Sequence, residues 1–275
     1  MDYRDTLRRL IEIDTSGPDA AACRGAMSVL QEQFGAAGLQ ATLVDIPSSS
    51  AEGMQGRAAL VARRASQGRQ QLIVYGHVDV VPAHGWDAFS YVQEDGRIYG
   101  RGTADMKGAL CALATALYGV RNQPLKYDVS VVVTMDEETH QLGQLEYLTE
   151  ALAPGDCPLV LSLDTGFGYV SIANLGVLQM DVHAVGESVH SGLSHLGRNA
   201  VEGAARLISA LLQLRPAILE RSSAVPAHPA TGLSFLQPRL NINSVVGGTA
   251  RNVIPDECTF SIDRRLIPEE SLEQA

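Results

Sequence analysis

Val131-Val132-Val133-Thr134-Met135-Asp136-Glu137-Glu138 is a run of apolar, mostly β-branched residues that stops abruptly at three acids. With Asp128 at its start, it predicts a strand over 128–134. The run does not alternate apolar with polar, so both faces of the strand should be buried, as in a sheet covered by helices on either side. The flanking sequence carries the same signature. Strand-type runs fall at 41–46, 58–62, 71–75 and 159–163. Helical stripes fall around Leu7, Leu10 and Ile11, around Met27, Leu30 and Phe34 with Gly38 as a stop, over 107–120, and near 142–152. Strands alternating with helices predict an α/β sandwich built on a largely parallel or mixed sheet.

From about Val177 the texture changes. Leu178-Gln179-Met180-Asp181-Val182-His183-Ala184-Val185 alternates with period two, as a half-solvated antiparallel strand does. A helix over 199–214 and strands over 239–246 and 258–266 complete a smaller α+β domain. The reading therefore divides the chain into 1–176 and 177–275. Pro268-Glu269-Glu270-Ser271-Leu272-Glu273-Gln274-Ala275 reads as a helix opening, with proline and acids at its positive end. It stops after about two turns, short of the roughly 12–15 residues at which an isolated helix is even marginal. Both domains are thus expected to be incomplete at the carboxyl end.

Composition narrows the partners. The 275 residues are 45% hydrophobic and 19% charged, with a net charge of −10 and a pI near 5.1. An acidic surface repels phosphate backbones and anionic lipid, so neither nucleic acid nor membrane is expected as a partner. The mixed charges of Met1 to Leu10 do not make a secretory signal, and no apolar run approaches about 18 residues. Cys23, Cys111, Cys157 and Cys258 are far apart, which suits reduced thiols and a cytoplasmic location.

Four segments place acids or imidazoles at the ends of predicted strands, where α/β proteins build sites. In Tyr75-Gly76-His77-Val78-Asp79-Val80-Val81-Pro82, His77 and Asp79 project to one side of an extended chain. Asp79 can take one ring proton and leave the other nitrogen free for a metal; a surface polar pair is the plainer reading. Gly100-Arg101-Gly102-Thr103-Ala104-Asp105-Met106-Lys107-Gly108 completes neither dinucleotide nor Walker pattern, which leaves Asp105 ahead of a helix, as a ligand or a cap. Asp136-Glu137-Glu138 is costly at a buried strand end unless a cation neutralises it; a solvated acidic turn is the alternative. Asp164-Thr165-Gly166 matches the aspartic-protease triplet, but one copy in an α/β context fits a fourth metal-site carboxylate better.

Together, Gly76 to Pro82, Trp86 through Asp95 to Gly108, and Asp136-Glu137-Glu138 resemble the family of acetylornithine deacetylase, succinyl-diaminopimelate desuccinylase and glutamate carboxypeptidase, over nearly the whole chain. The resemblance implies two divalent ions, zinc first, with cobalt or manganese as substitutes. His77 and Asp164 would bind one ion, Asp105 would bridge, and Glu138 would bind the other. Asp79 would orient His77, and Glu137 would be the general base. The Asp105–Met106 peptide should be cis. The segment from 177 onward is similar to the family's lid and dimerisation domain. There His190 would steady an oxyanion in a partner subunit's site, and Arg265 and Asn252 would bind substrate. The family's last histidine ligand has no counterpart here, and His140, two residues after Glu138, is a candidate replacement.

The expected activity is hydrolysis of an amide bond in an N-acyl amino acid or a short peptide with a free carboxylate, by a homodimeric deacylase or exopeptidase. Glu137 would take a proton from a metal-activated water. Two alternatives stay open at this point. One is an impaired metal-binding or interaction fragment lacking the second ion's histidine; the other is a nucleotide-binding protein using the Gly100–Gly108 loop.

Overall fold

The computed structural model describes residues 2–17, 19–47, 56–66, 70–138, 147–148, 159–164 and 170–274. The chain divides into two compact units, Met1–Gly168 and Tyr169–Ala275.

The first unit begins with helices α1 (Tyr3–Ile11) and α2 (Ala20–Ala36). Asp2 and Asp19 cap them, each accepting a backbone N–H two residues on, at 2.9 Å. Strands β1 (Gln40–Asp45), β2 (Ala58–Arg64) and β3 (Gln71–His77) follow, then a short hairpin of β4 (Val92–Glu94) and β5 (Arg97–Tyr99). The hairpin falls within the motif read as Trp86 to Gly108, and its three-residue strands are too short to carry a periodic signal. Helix α3 (Gly108–Gly119), β6 (Asp128–Thr134) and β7 (Leu159–Ser162) complete the unit. Of the helix expected near 142–152, only Tyr147 and Leu148 are among the described residues, and both are helical. His140 lies outside them.

The sheet order is β1-β2-β6-β3-β7. β1–β2 and β2–β6 are antiparallel, while β6–β3 and β3–β7 are parallel. The sheet is therefore mixed, as its apolar strands implied. Leu60, Ala62, Val74, Val129, Val131 and Val133 face the core under α1, α2 and α3. Ala59, Val61 and Val132 face a second cluster with Ile46 and Leu148. Val129 to Thr134 are all buried, Ser130 and Thr134 included, so β6 is covered on both faces.

The second unit is a three-stranded antiparallel sheet, β8 (Gly176–Val185), β10 (Glu257–Leu266) and β9 (Arg239–Gly247), with β10 central. Helix α4 (Ala200–Leu219) packs on one face through Ala200, Ala204 and Ile218 against Leu240, Cys258, Phe260 and Ile262. The helix expected to open at Pro268 is not what forms. Glu270 instead folds back to accept the Ile267 N–H at 3.1 Å and to pair with buried Arg264 at 2.7 Å. Glu269 takes Ser223 Oγ and the Ala224 N–H at 2.9 and 2.8 Å. These charge-assisted bonds to the segment after α4 outcompete a helical first turn. Only a short 3₁₀ turn follows, Leu272–Gln274.

One turn positions much of the rest. Thr103–Lys107 connects β5 to α3 and carries Asp105, whose peptide to Met106 is cis. Lys107, fully buried, donates to the carbonyls of Leu10 and Ile13 at 2.9 and 3.0 Å, tying the turn to the end of α1. Burial lowers its pKa to about 8. Gly108 closes the turn where a Cβ would sit 2.2 Å from the Thr103 carbonyl oxygen. Backbone cannot yield as a flexible side chain can. Gly108→Ala is therefore expected to lower unfolding free energy by about 1–3 kcal/mol, read by denaturant unfolding; an unchanged midpoint would show that the turn relaxes freely.

Candidate metal centre

The parallel trio β6-β3-β7 brings three chain exits to one edge of the sheet. His77 is the last residue of β3 and is completely buried. The segment beyond it is pinned: the Val78 N–H donates to Thr134 O at 3.0 Å, and Thr15 Oγ1 donates to Val78 O at 2.7 Å. This fixes Asp79 beside the imidazole. His77 Nδ1 lies 3.0 Å from the Asp79 carbonyl oxygen and 3.3 Å from Asp79 Oδ1. The other carboxylate oxygen, Oδ2, accepts the Glu138 N–H at 2.8 Å. Asp79 thus joins the exit of β3 to the exit of β6.

With Nδ1 turned to Asp79, the opposite nitrogen decides what the site can hold. His77 Nε2 is buried and has no hydrogen-bond partner. It lies 3.3 Å from Asp105 Oδ1 and 3.9 Å from Glu137 Oε2. Ligand atoms of His77, Glu137 and Asp164 all fall within 4.8 Å of one another. A buried imidazole nitrogen among carboxylate oxygens is a donor set suited to a divalent cation of the zinc type. The residues present fit the group.

The electrostatics agree. Burial raises the pKa of Glu137, Glu138 and Asp164, and neighbouring carboxylates raise each further, while His77 opposes the rise. Burial alone would depress His77, but Asp79, Glu137 and Asp164 outweigh it and carry its pKa up to about 9. Burial and crowding thus disfavour the charged carboxylates unless something positive faces them.

Of the residues expected here, Asp79, Asp105, Glu137 and Asp164 come together around the two sides of the His77 imidazole, and Glu138 is tied in through its backbone. Glu137, read as a base, stands in the same cluster as His77 and Asp164, which were read as metal ligands. The Gly100–Gly108 segment does not cradle phosphate: a Cβ on Gly102 would meet Val80 at 2.7 Å and Lys107 at 3.0 Å, so protein fills that space. His190, Asn252 and Arg265 belong to the second unit. His190 Nδ1 accepts the Gly192 N–H at 3.1 Å, which places any proton of the neutral ring on Nε2. The Asn252 carbonyl accepts the Ser191 N–H at 2.9 Å, so Asn252 neighbours His190. Arg265 is held by Asp263 through Nε and Nη2 at 2.8 and 2.9 Å.

Sequence reasoning missed one group. Arg57, just before β2 and 2% exposed, lies with Nη1 3.5 Å from Asp136 Oδ2. Burial raises Asp136 to about 7, against the pull of Arg57. Only the strand register brings the two together, and a single sequence does not display register.

Residues 73–220 match the family described as peptidase family M20/M25/M40, and residues 172–275 match a peptidase dimerisation domain. The chain belongs to the M20/M25/M40 peptidase family, whose members are hydrolases. Similar solved structures include human carnosine dipeptidase 1, at 19% identity and TM-score 0.62, covering 98% of this chain and 71% of that one. A tripeptidase from Staphylococcus aureus aligns at 22% identity and TM-score 0.65, covering 97% and 66%. An M20 family metallo-carboxypeptidase from Sulfolobus solfataricus aligns at 19% identity and TM-score 0.70, covering 98% and 72%. These likenesses establish the fold, and the chain spans about two thirds of the length of the structures it matches.

The His77 geometry predicts a pH dependence for the metal-free chain. Its folded-state pKa of about 9 exceeds the ordinary 6.5, so its contribution to stability is complete below about 6.5 and is lost as pH rises through about 9. The raised carboxylates act in the same direction at lower pH. In metal-free buffer the Tm is expected to fall between pH 6.5 and 9, and His77→Gln to flatten that interval. A wild-type profile flat across it would contradict the placement of His77 among ionised carboxylates.

Proposed function

We propose that this chain, as a member of the M20/M25/M40 peptidase family, hydrolyses the amide bond of a short peptide or N-acyl amino acid with divalent cations held at the His77 cluster. The observation that carries the reading is the buried, unbonded Nε2 of His77 facing carboxylate oxygens. His77, Asp105, Glu138 and Asp164 would hold the ions, zinc first. When bound, such ions polarise the scissile carbonyl and acidify water.

This chain's own residues supply the remainder. Asp79 keeps the His77 proton on Nδ1, so that Nε2 stays a donor of electrons. Glu137, whose carboxylate stands 3.9 Å from Nε2 and whose pKa is raised by burial, can take a proton at this edge and return it to the leaving amine. His190, with Nδ1 occupied by the Gly192 N–H, presents Nε2–H as the donor an oxyanion needs. Arg265, oriented by Asp263, and Asn252 are suited to a substrate carboxylate. A homodimer through the second unit fits the dimerisation-domain match and the exposed Leu207 and Leu214, two turns apart on α4. Among the described residues no helix is long and apolar enough to cross a membrane.

The roles of the adjacent acids are separable. Glu137→Gln is expected to keep the bound metal and lower kcat by about 10²–10⁴-fold, whereas Glu138→Gln should lose metal. Metal content per chain and turnover of N-acyl amino acids and dipeptides after loading with zinc, cobalt or manganese check both. Loss of metal in Glu137→Gln would make Glu137 a ligand. Metal bound without turnover of any of these substrates would favour an impaired binding protein, and turnover that survives chelation would end the metal reading.

A further inference from the structure

We infer that Arg57 is a positioning residue for the carboxylates of the metal centre, acting through Asp136. The inference rests on the metal reading above and adds a group outside the ligand set. β2 runs antiparallel to β6 with Leu60 opposite Val133, and continuing that register sets Arg57 opposite Asp136. Contacts on both sides keep the alignment: the Ala58 N–H donates to Met135 Sδ at 3.3 Å, and the Ile46 N–H donates to Arg57 O at 2.9 Å. The guanidinium reaches Asp136 Oδ2 at 3.5 Å, and both side chains are at most 3% exposed.

Asp136 is the second residue past β6, after Met135, and the next two are Glu137 and Glu138. Asp136 is held from β2, and the Glu138 N–H is held by Asp79 from β3. Glu137 is therefore suspended between two anchored neighbours, and its carboxylate is directed to His77. The charge argument leads to the same place. Asp79, Asp105, Asp136, Glu137, Glu138 and Asp164 crowd this end of the sheet. Lys107, also buried, is committed to carbonyls of α1. Arg57 is a buried guanidinium on the inner side, facing Asp136. If it is removed, Asp136 is left as a buried carboxylate. Asp136 is then no longer held by Arg57 from β2, and the placement of Glu137 and Glu138, which follow it, loosens.

The experiment uses the full chain as Arg57→Met, Arg57→Lys, Asp136→Asn and the double variant Arg57→Met/Asp136→Asn. Cobalt(II) is titrated into each, followed by calorimetry and visible absorption, with the Tm of the metal-free chain measured alongside. Arg57→Met is expected to weaken cobalt binding about 10–100-fold, the usual cost of losing an outer partner, and to alter the cobalt absorption bands. The double variant should recover part of that loss, since no orphaned charge remains. Arg57→Lys should fall between wild type and Arg57→Met. A folded Arg57→Met with wild-type affinity and bands overturns the inference, even if its Tm is lower. Should Arg57→Met not fold, Asp136→Asn and Arg57→Lys carry the test, and unchanged cobalt binding in both overturns it. A wild-type chain that takes up no cobalt overturns the metal reading and this inference together, which is distinct from wild-type uptake that Arg57 does not influence.

Discussion

Like charges crowded at one edge of a buried sheet are the constraint on which this structure turns. Five carboxylates gather around a single imidazole with Asp136 beside them against Arg57, and desolvation makes their mutual repulsion stronger than it would be in water. Every nearby feature answers that repulsion. Asp79 is paired with His77 and a backbone N–H, Asp136 faces Arg57, and burial pushes the pKa of Glu137, Glu138 and Asp164 upward. The cluster is costly in an empty protein and makes sense as a receptor for cations.

The scaffold supports this by bringing strand ends together. Three parallel strands release the chain at one edge, so His77, the acids after β6 and Asp164 after β7 meet without a long loop. The Thr103–Lys107 turn adds Asp105 from another direction, and Lys107 anchors that turn to α1. Position is set by backbone pairing rather than by the acidic side chains, which alone would drive one another apart.

Much of this was legible in the sequence, for identifiable reasons. The two-sided burial of β6 is foreshadowed by Val131-Val132-Val133, and the α/β sandwich followed. The His77–Asp79 spacing predicts shared orientation in an extended chain, which is how the two residues are found. The carboxyl-terminal turn was misread because proline and acids are equally good at opening a helix and at accepting bonds from elsewhere. The bonds of Glu269 and Glu270 to the segment after α4 and to Arg264 decided the matter, and these partners are remote in sequence. Arg57 was invisible for a related reason. An isolated arginine before an alanine-rich strand looks like surface, and only pairing with β6 buries it.

The reversal of direction between β2 and β6 has a further consequence. An antiparallel neighbour enters the sheet at the same edge where the parallel trio leaves it, so the residue that introduces β2 is delivered to the chemistry. The stretch leading into β2 is thereby a remote tuning screw. Its sequence can vary the field felt at the His77 cluster while leaving the residues of that cluster, and the sheet that carries them, untouched.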